Sequence, residues 1–490
     1  MALLGIDLGT SSVKAVVIDE NGAVLGSGMH EYSILTPRVG WAEQEPEAWW
    51  RATVIAVQEA TTKADERRIS AIGIDGQMHG LVPINALLEA AAPAIIWADQ
   101  RSSGEVTFMR DQVGDDLLRQ AGTLPAAGFY AATMLWMMRH QPDLLEQSVA
   151  CLLPKDYIRL RLTEQIATDA SDASATALFD VQTRRWSTDI VRTLQLPAHL
   201  LPAVLESGQI AGTLTPAAAA ILNLTPDIPV VAGCADQVAQ AVGNGLIDPG
   251  RGSITIGTGG QLFAPLASPN TDAQLRLHTF CHAPADRWYL LGATLSAGLS
   301  LRWFRNLLGE ASNPDAYQYL AQLADEVPPG ADGLLFLPYL VGERAPIMDA
   351  SAQGALVGLT LRHERGHITR AIMEGVVFGL RQVLDVMDGL TAAPRTLLAS
   401  GNGLASPVWR QIAADILNRP LSLSSGGERA GIGAALIAGI GAGIYKDYAE
   451  ILSMAPVAGL TIEPNPEHVG RYDEGYARYQ QLYPLLKTLR

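Results

Sequence analysis

Three cysteines in 490 residues, Cys151, Cys234 and Cys281, are too few and too widely spaced for a disulfide framework, a metal cluster or a redox pair. They fit a reducing compartment. Basic residues are also scarce: 35 Lys and Arg stand against 50 Asp and Glu, a formal net charge of −15. That excludes a nucleic-acid-binding surface, whose affinity comes from neutralising phosphates. No apolar run reaches membrane-spanning length, and Asp7 interrupts the one apolar stretch near the start. Neither a leader peptide nor a membrane partner is therefore expected, and the expected location is the cytoplasm. What is present is a chain 48% hydrophobic and only 17% charged, the composition of a well-buried globular protein. Its length exceeds what one core accommodates, so at least two domains are expected.

The chain is organised around the stretch from Leu3 to Lys14. An apolar β-type run carries one acid, Asp7, passes through the small-residue turn Gly9, Thr10, Ser11 and Ser12, runs apolar again, and reverses at Asn21-Gly22, a hairpin signal. Such a turn can aim amides and hydroxyls at phosphate oxygens while the neighbouring acid holds a hydrated Mg²⁺. Nucleotide binding is the expectation, since a negative net charge does not prevent local positive potential from amides and a cation. From Gly252 to Phe263 the pattern returns as strand, small loop (Gly257, Thr258, Gly259) and strand, without the acid. Two such openings about 250 residues apart predict two domains of one architecture, residues 1–247 and 248–490, with a ligand cleft between them.

Between these openings lie further candidates at the ends of predicted strands, where α/β proteins collect ligands. The run 69–74 ends in Asp75, Gly76, Gln77, Met78 and His79, and the run 93–96 ends in Trp97, Asp99 and Arg101. A lone histidine is more often structural than ligand-binding, and Asp99 can equally well pair with Arg101. Asp236 follows the apolar run 228–233 at the start of a helix of small residues, where a carboxylate is either a cap or a reactive group. The stretch Thr168 to Ser174 reads as a small-polar loop, too poor in basic residues to be a phosphate site. Leu397 opens a strand that runs into Gly401, Asn402 and Gly403, and the helix from Glu428 to Ala435 is dense in Gly and Ala. That density admits either a backbone or a flat adenine at close range. Helices are also predicted from Pro46 to about Lys63 and from about Gly366 to Met387, with a peripheral helix in the tail from Arg471.

These residues together resemble the FGGY carbohydrate kinases over nearly the whole chain. The most specific part is Gly354 to Leu359 with His367, Ile368 and Ala371 to Glu374. The resemblance implies an α/β fold of two actin-like (ribonuclease H-like) ATPase domains closing on ATP across an interdomain cleft. It implies that Asp236 is the general base and that Asp7 stands near Mg²⁺, held through water, and the phosphates. Gln77, Met78, His79, Trp97, Asp99 and Arg101 fall on the sugar side; Gly9, Thr10 and Ser11 with Gly257, Thr258 and Gly259 grip phosphates; Gly401, Asn402 and Gly403 hold the nucleoside. The segments 40–44, 77–80, 96–101, 155–157 and 168–174 point to a ketopentose acceptor, D-xylulose converted to D-xylulose 5-phosphate. Gluconate, ribulose or a polyol is the alternative acceptor, and an actin-like ATPase switch without a sugar is the alternative class. A homodimer is compatible with this reading. The chain departs from the family pattern at Thr133, where Lys is usual, at Gly260, where Ser is usual, at Asn402 within the glycine loop, at Ala345 to Ile347, which look like gluconate-specific relatives, and at Asp75.

Overall fold

The computed structural model describes residues 1–65, 68–390, 392–423, 428–454 and 459–489. Strands β1 (Ala2–Leu8), β2 (Ser12–Asp19) and β3 (Val24–Glu31) form an antiparallel meander. The reversal falls at the predicted Asn21-Gly22: Gly22 has φ +80°, and the Asp19 carboxylate accepts the amides of Asn21 and Ala23 at 2.9 Å. β1 also pairs in parallel with Ile69–Gly76, and the sheet continues through Pro229–Val231 to an antiparallel edge, Ile210–Thr213. Helix Pro46–Lys63 forms over the predicted residues, starting at Pro and burying Trp49, Ala52, Ala56 and Ala60 against this sheet.

A second sheet repeats the plan. Arg251–Ile256, Gly260–Leu266 and Trp288–Thr294 form its meander; Arg251–Ile256 pairs in parallel with Thr396–Ser400, followed by Leu421–Leu423 and an antiparallel edge, Thr461–Ile462. Six strands of each sheet correspond in order and direction, the second sheet adding His278–Cys281 at its edge and the first Cys234–Ala235 beside Ile69–Gly76, so the repeat suggested by the two Gly-rich openings exists at the level of topology.

Two expectations change. The tail helix spans Pro466–Lys487 and is not merely peripheral: Tyr472, Tyr476 and Tyr479 are buried around Phe378 of helix Arg365–Gly389, and the Tyr472 hydroxyl donates to Glu374 at 2.9 Å. Aromatic side chains with a hydroxyl end allow this, because the ring is buried while the oxygen finds a partner. Residues 168–174 are likewise no surface loop. Ala167–Asp169 is a strand, Ala170–Ala173 a helical turn, and all of these residues are buried.

Helix Arg429–Gly441 belongs to the second half of the chain yet lies against the first sheet. A Cβ on Gly5 would stand 1.8 Å from the Gly431 carbonyl oxygen, and one on Gly73 1.9 Å from that of Ala434. The Gly and Ala density of this helix therefore serves backbone-to-backbone approach. Among the described residues no helix is long and apolar enough to cross a membrane.

Candidate active site

Between the two sheets lies a cavity of 620 Å³. Asp7, Gly9 and Lys14 line it from the first sheet, Asp236 and Gln237 from a helix start, and Thr255, Gln261, Ser400, Gly401 and Asn402 from the second sheet. Asp7 is the next-to-last residue of β1. The antiparallel register sets it opposite Lys14 of β2, and the parallel register sets it beside Asp75.

The turn after β1 is held from several sides. Gly9 donates to the Ser12 carbonyl at 3.0 Å, the Tyr32 hydroxyl donates to the Gly9 carbonyl, Gln44 donates to the Thr10 carbonyl at 2.7 Å, and the Trp97 indole donates to the Thr10 hydroxyl at 3.0 Å. The second turn is buttressed by the start of helix Gly298–Leu307: Gly298 donates to Gly257 at 2.8 Å, and Ala297 and Leu299 donate to Thr258 at 2.9 and 3.1 Å. A Cβ at Gly298 would meet the Gly257 carbonyl at 2.4 Å, so glycine is required there. With its carbonyls engaged behind it, Thr258 is left exposed to the cleft.

Three carboxylates crowd the floor. Burial raises the pKa of Asp7, with Lys14 opposing, and raises that of Asp75 far more, with Asp7 and Asp236 adding to the effect. Asp75 is fully buried beside Asp7, so it presents nothing to a sugar. Asp236 is pushed up to about 7, first by burial and then by the charge of Asp7, against a 2.6 Å hydrogen bond from the Gln237 amide. Such a concentration of acid favours a bound cation. Among the described residues there is no cluster of three or more His, Cys, Asp or Glu able to hold a metal alone. Mg²⁺ keeps most of its water and takes one or two carboxylates together with substrate phosphates. Asp7 fits that role.

His79 has φ +74°, an uncommon backbone for a non-glycine residue and of the kind that collects at functional sites. Its Nδ1 lies 3.0 Å from the Ala175 carbonyl, which assigns the ring proton to Nδ1 and leaves Nε2 as an acceptor. The ring stacks on Phe129 with centroids 3.7 Å apart, and burial holds its pKa at about 3, so it is neutral. Arg344, from the second half, is near enough to lower the pKa values of both His79 and His278.

Four residues expected at the sugar turn inward instead. Gln77 is buried and donates to Gln44 at 2.8 Å, and Gln44 in turn holds Thr10. The Met78 side chain is 6% exposed and packs in the core with Ala175 and Ala235. Asp99 and Arg101 pair at 2.8 Å; Asp99 also accepts the Ala42 amide at 2.6 Å, and Arg101 bonds Glu43 and stacks 3.6 Å over Trp41. Asp99 and Arg101 are thus engaged within the protein and shape the segment Gly40 to Gln44, which the sequence alone left undecided, whereas the Gln77 side-chain oxygen is buried with no hydrogen-bond partner among the described residues.

Lys14 lies in a run with no local signal of function, although its register opposite Asp7 follows from the hairpin. A second pocket of 290 Å³ adjoins the cleft and has no local signal either. There Gly257, Thr258, Asn402 and Gly403 meet Leu299, Arg302, Tyr317, Met373, Ser406 and Trp409. Tyr317 and Arg302 carry no local signal; only helix packing brings them to the glycine loop.

The model of the FGGY family of carbohydrate kinases matches residues 2–243 with its N-terminal domain and 252–442 with its C-terminal domain. Xylulose kinase of Escherichia coli (strain K12) is 37% identical over 488 residues, 99% of each chain. Gluconokinase of Bacillus subtilis (strain 168) is 29% identical over 497 residues, 99% of this chain and 95% of the relative. In three dimensions the chain matches the crystal structure of a xyloylose kinase from Brucella ovis at a TM-score of 0.94 and 34% identity, over 100% of both chains. The two-domain α/β architecture of that family is thus the architecture of this protein.

Proposed function

The chain belongs to the FGGY family of carbohydrate kinases, and from that premise we propose that it transfers the γ-phosphoryl group of MgATP to a ketopentose, converting D-xylulose to D-xylulose 5-phosphate. The observation that carries the reading is one cavity lined by Asp236, Asp7 and Lys14, with the second glycine turn at the edge of the adjoining pocket.

A sugar hydroxyl is a weak nucleophile at neutral pH, so its proton must leave as the new P–O bond forms. Asp236 accepts that proton. A carboxylate with a pKa of about 7 is matched to the task, being ionised above neutrality and basic enough to hold a proton. Asp7 would hold Mg²⁺ through water, and the bound ion would supply charge neutralisation for the transferring phosphoryl group. Lys14 adds a fixed positive charge on the same side, and the turns Gly9 to Ser11 and Gly257 to Gly259 orient the phosphates. The nucleoside lies in the pocket of Tyr317, Met373, Asn402 and Gly403. The acceptor lies between Asp236, Nε2 of His79 and the exposed Trp97. Residues 1–247 then supply the base and the sugar contacts, and residues 248–490 the nucleotide site. Closure of the two over the substrates excludes water from the phosphoryl group. Three free, buried thiols and the use of ATP suit a cytoplasmic enzyme.

One observation favours a second acceptor. Arg344 brings a positive charge to the sugar end, where the carboxylate of gluconate would complement it. A coupled ADP-release assay across D-xylulose, D-ribulose, D-gluconate and polyols decides between them, with the highest kcat/KM expected for D-xylulose. ADP release at an unchanged rate without any sugar would instead identify an ATPase switch.

A further inference from the structure

The segment Thr168 to Ser174, together with Lys155 and Asp156, has no part in the phosphoryl transfer described above, yet it forms the most charged buried cluster next to the site. Lys155 lies 2.6 Å from Asp156, 3.0 Å from Asp169 and 3.5 Å from Asp172, and all four are at most 1% exposed. Arg159 joins through Asp156 at 2.7 Å. Ionic groups removed from water in this way are costly, so what they engage is informative.

They engage the backbone that leads into Asp236. Arg159 donates to the Ala232 carbonyl at 2.9 Å. At the other end, the Ser171 hydroxyl donates to Asp169 at 2.6 Å and accepts the Ala235 amide at 3.1 Å. Asp169 is fixed by Lys155 on one oxygen and, on the other, by the Ser171 amide and the Ser207 hydroxyl, each at 2.8 Å. Ala235 immediately precedes Asp236 and, as the N-terminal capping residue of helix Asp236–Gly243, has no side chain with which to cap it. The hydroxyl of Ser171 is thus the side-chain tether one residue from the proposed base, and Lys155 with Asp169 is its anchor.

We propose that Ser171 is a positioning residue for Asp236. A general base acts only within hydrogen-bond reach of its proton, and a displacement of about 1 Å lowers a rate by about a hundredfold. The inference rests on the reading of Asp236 as the base, and its test separates the two. Ser171→Ala is compared with Ser207→Ala, which removes an equivalent bond to Asp169 but leaves the Ala235 amide its partner. Ser171→Ala should lower kcat about tenfold with KM for sugar and for ATP within about twofold, and should speed hydrogen exchange at the Ala235 amide. Ser207→Ala should lower the melting temperature comparably and leave kcat intact. Ser171→Thr, which keeps the hydroxyl, should recover most of the lost rate. Equal kcat losses in both alanine variants would reduce the cluster to a structural role, and unchanged exchange at Ala235 would remove the tether itself. Faster exchange with undiminished kcat would also overturn the proposal. Full turnover in Asp236→Asn, by contrast, would defeat the assignment of the base.

Discussion

Replacing Asp236 by Asn should harm activity and help stability, and the stability gain should depend on pH. Burial and the charge of Asp7 raise the Asp236 carboxyl from 3.8 to about 7. At 1.36 kcal/mol per unit, ionising it in the folded protein costs about 4 kcal/mol relative to the unfolded chain. The sign follows from the raised folded value. The contribution of the neutral carboxyl is fully present below pH 3.8, declines as pH rises, and is lost above about 7. The cost in wild type is about 1.5 kcal/mol at pH 5 and about 4 kcal/mol at pH 8, and Asn carries neither. The stability difference between Asp236→Asn and wild type should therefore be larger at pH 8 than at pH 5 by about 2–3 kcal/mol, or roughly 5 °C for a domain of this size. Calorimetry of the ligand-free proteins at both pH values measures it. In coupled ADP release the same variant should lose between about 10² and 10⁴ in kcat, the usual worth of a general base. Wild-type kcat/KM should rise with pH through about 7 and level off above it. A melting difference equal at the two pH values would refute the half-buried, charge-strained carboxylate, and near-normal turnover would refute the base.

Removing the acceptor nitrogen of His79 with His79→Phe should raise KM for the sugar at least about tenfold while KM for ATP stays put, because the proposed mechanism gives His79 a contact with the acceptor and none with the nucleotide. Steady-state kinetics in both substrates will show whether the split holds. Lys14→Met should act on the other substrate, lowering kcat by about a hundredfold and raising KM for ATP, since it removes a fixed charge beside the transferring phosphoryl group. An effect confined to the sugar KM would move Lys14 out of the phosphate site. For Gly5→Ala, whose Cβ would overlap the Gly431 carbonyl oxygen at 1.8 Å, a loss of at least about 3 kcal/mol is expected in urea unfolding. A wild-type midpoint would mean that helix Arg429–Gly441 does not press on β1.

The contrast between legible and hidden parts follows the range of the interactions. Apolar alternation, the Asn21-Gly22 reversal and the helix opened by Pro46 depend on neighbours a few residues away, and each is where the sequence predicts it. The twin glycine turns were recognisable for the same reason, and so were the acids Asp7 and Asp236. The direction of a side chain at a strand end is another matter. Gln77, Asp99 and Arg101 have the chemistry of sugar contacts, but hydrogen bonds to Gln44, Ala42 and Glu43 turn them inward, and those partners lie 33 to 58 residues away. Tyr317 and Arg302 reach the glycine loop only through helix packing.

By itself the sequence determined the two repeated meanders, their phosphate-type turns and the kind of chemistry the acids permit, because each is encoded in a short run whose conformation is local. Tertiary structure alone decided that Asp75 is buried behind Asp7, that a Gly- and Ala-rich helix from the second half closes on the first sheet, and that Ser171 tethers the residue before Asp236. It also set the affinity of Asp236 for its proton, since that depends on how much water is excluded and on which charges are brought near, neither of which any short stretch of the chain contains.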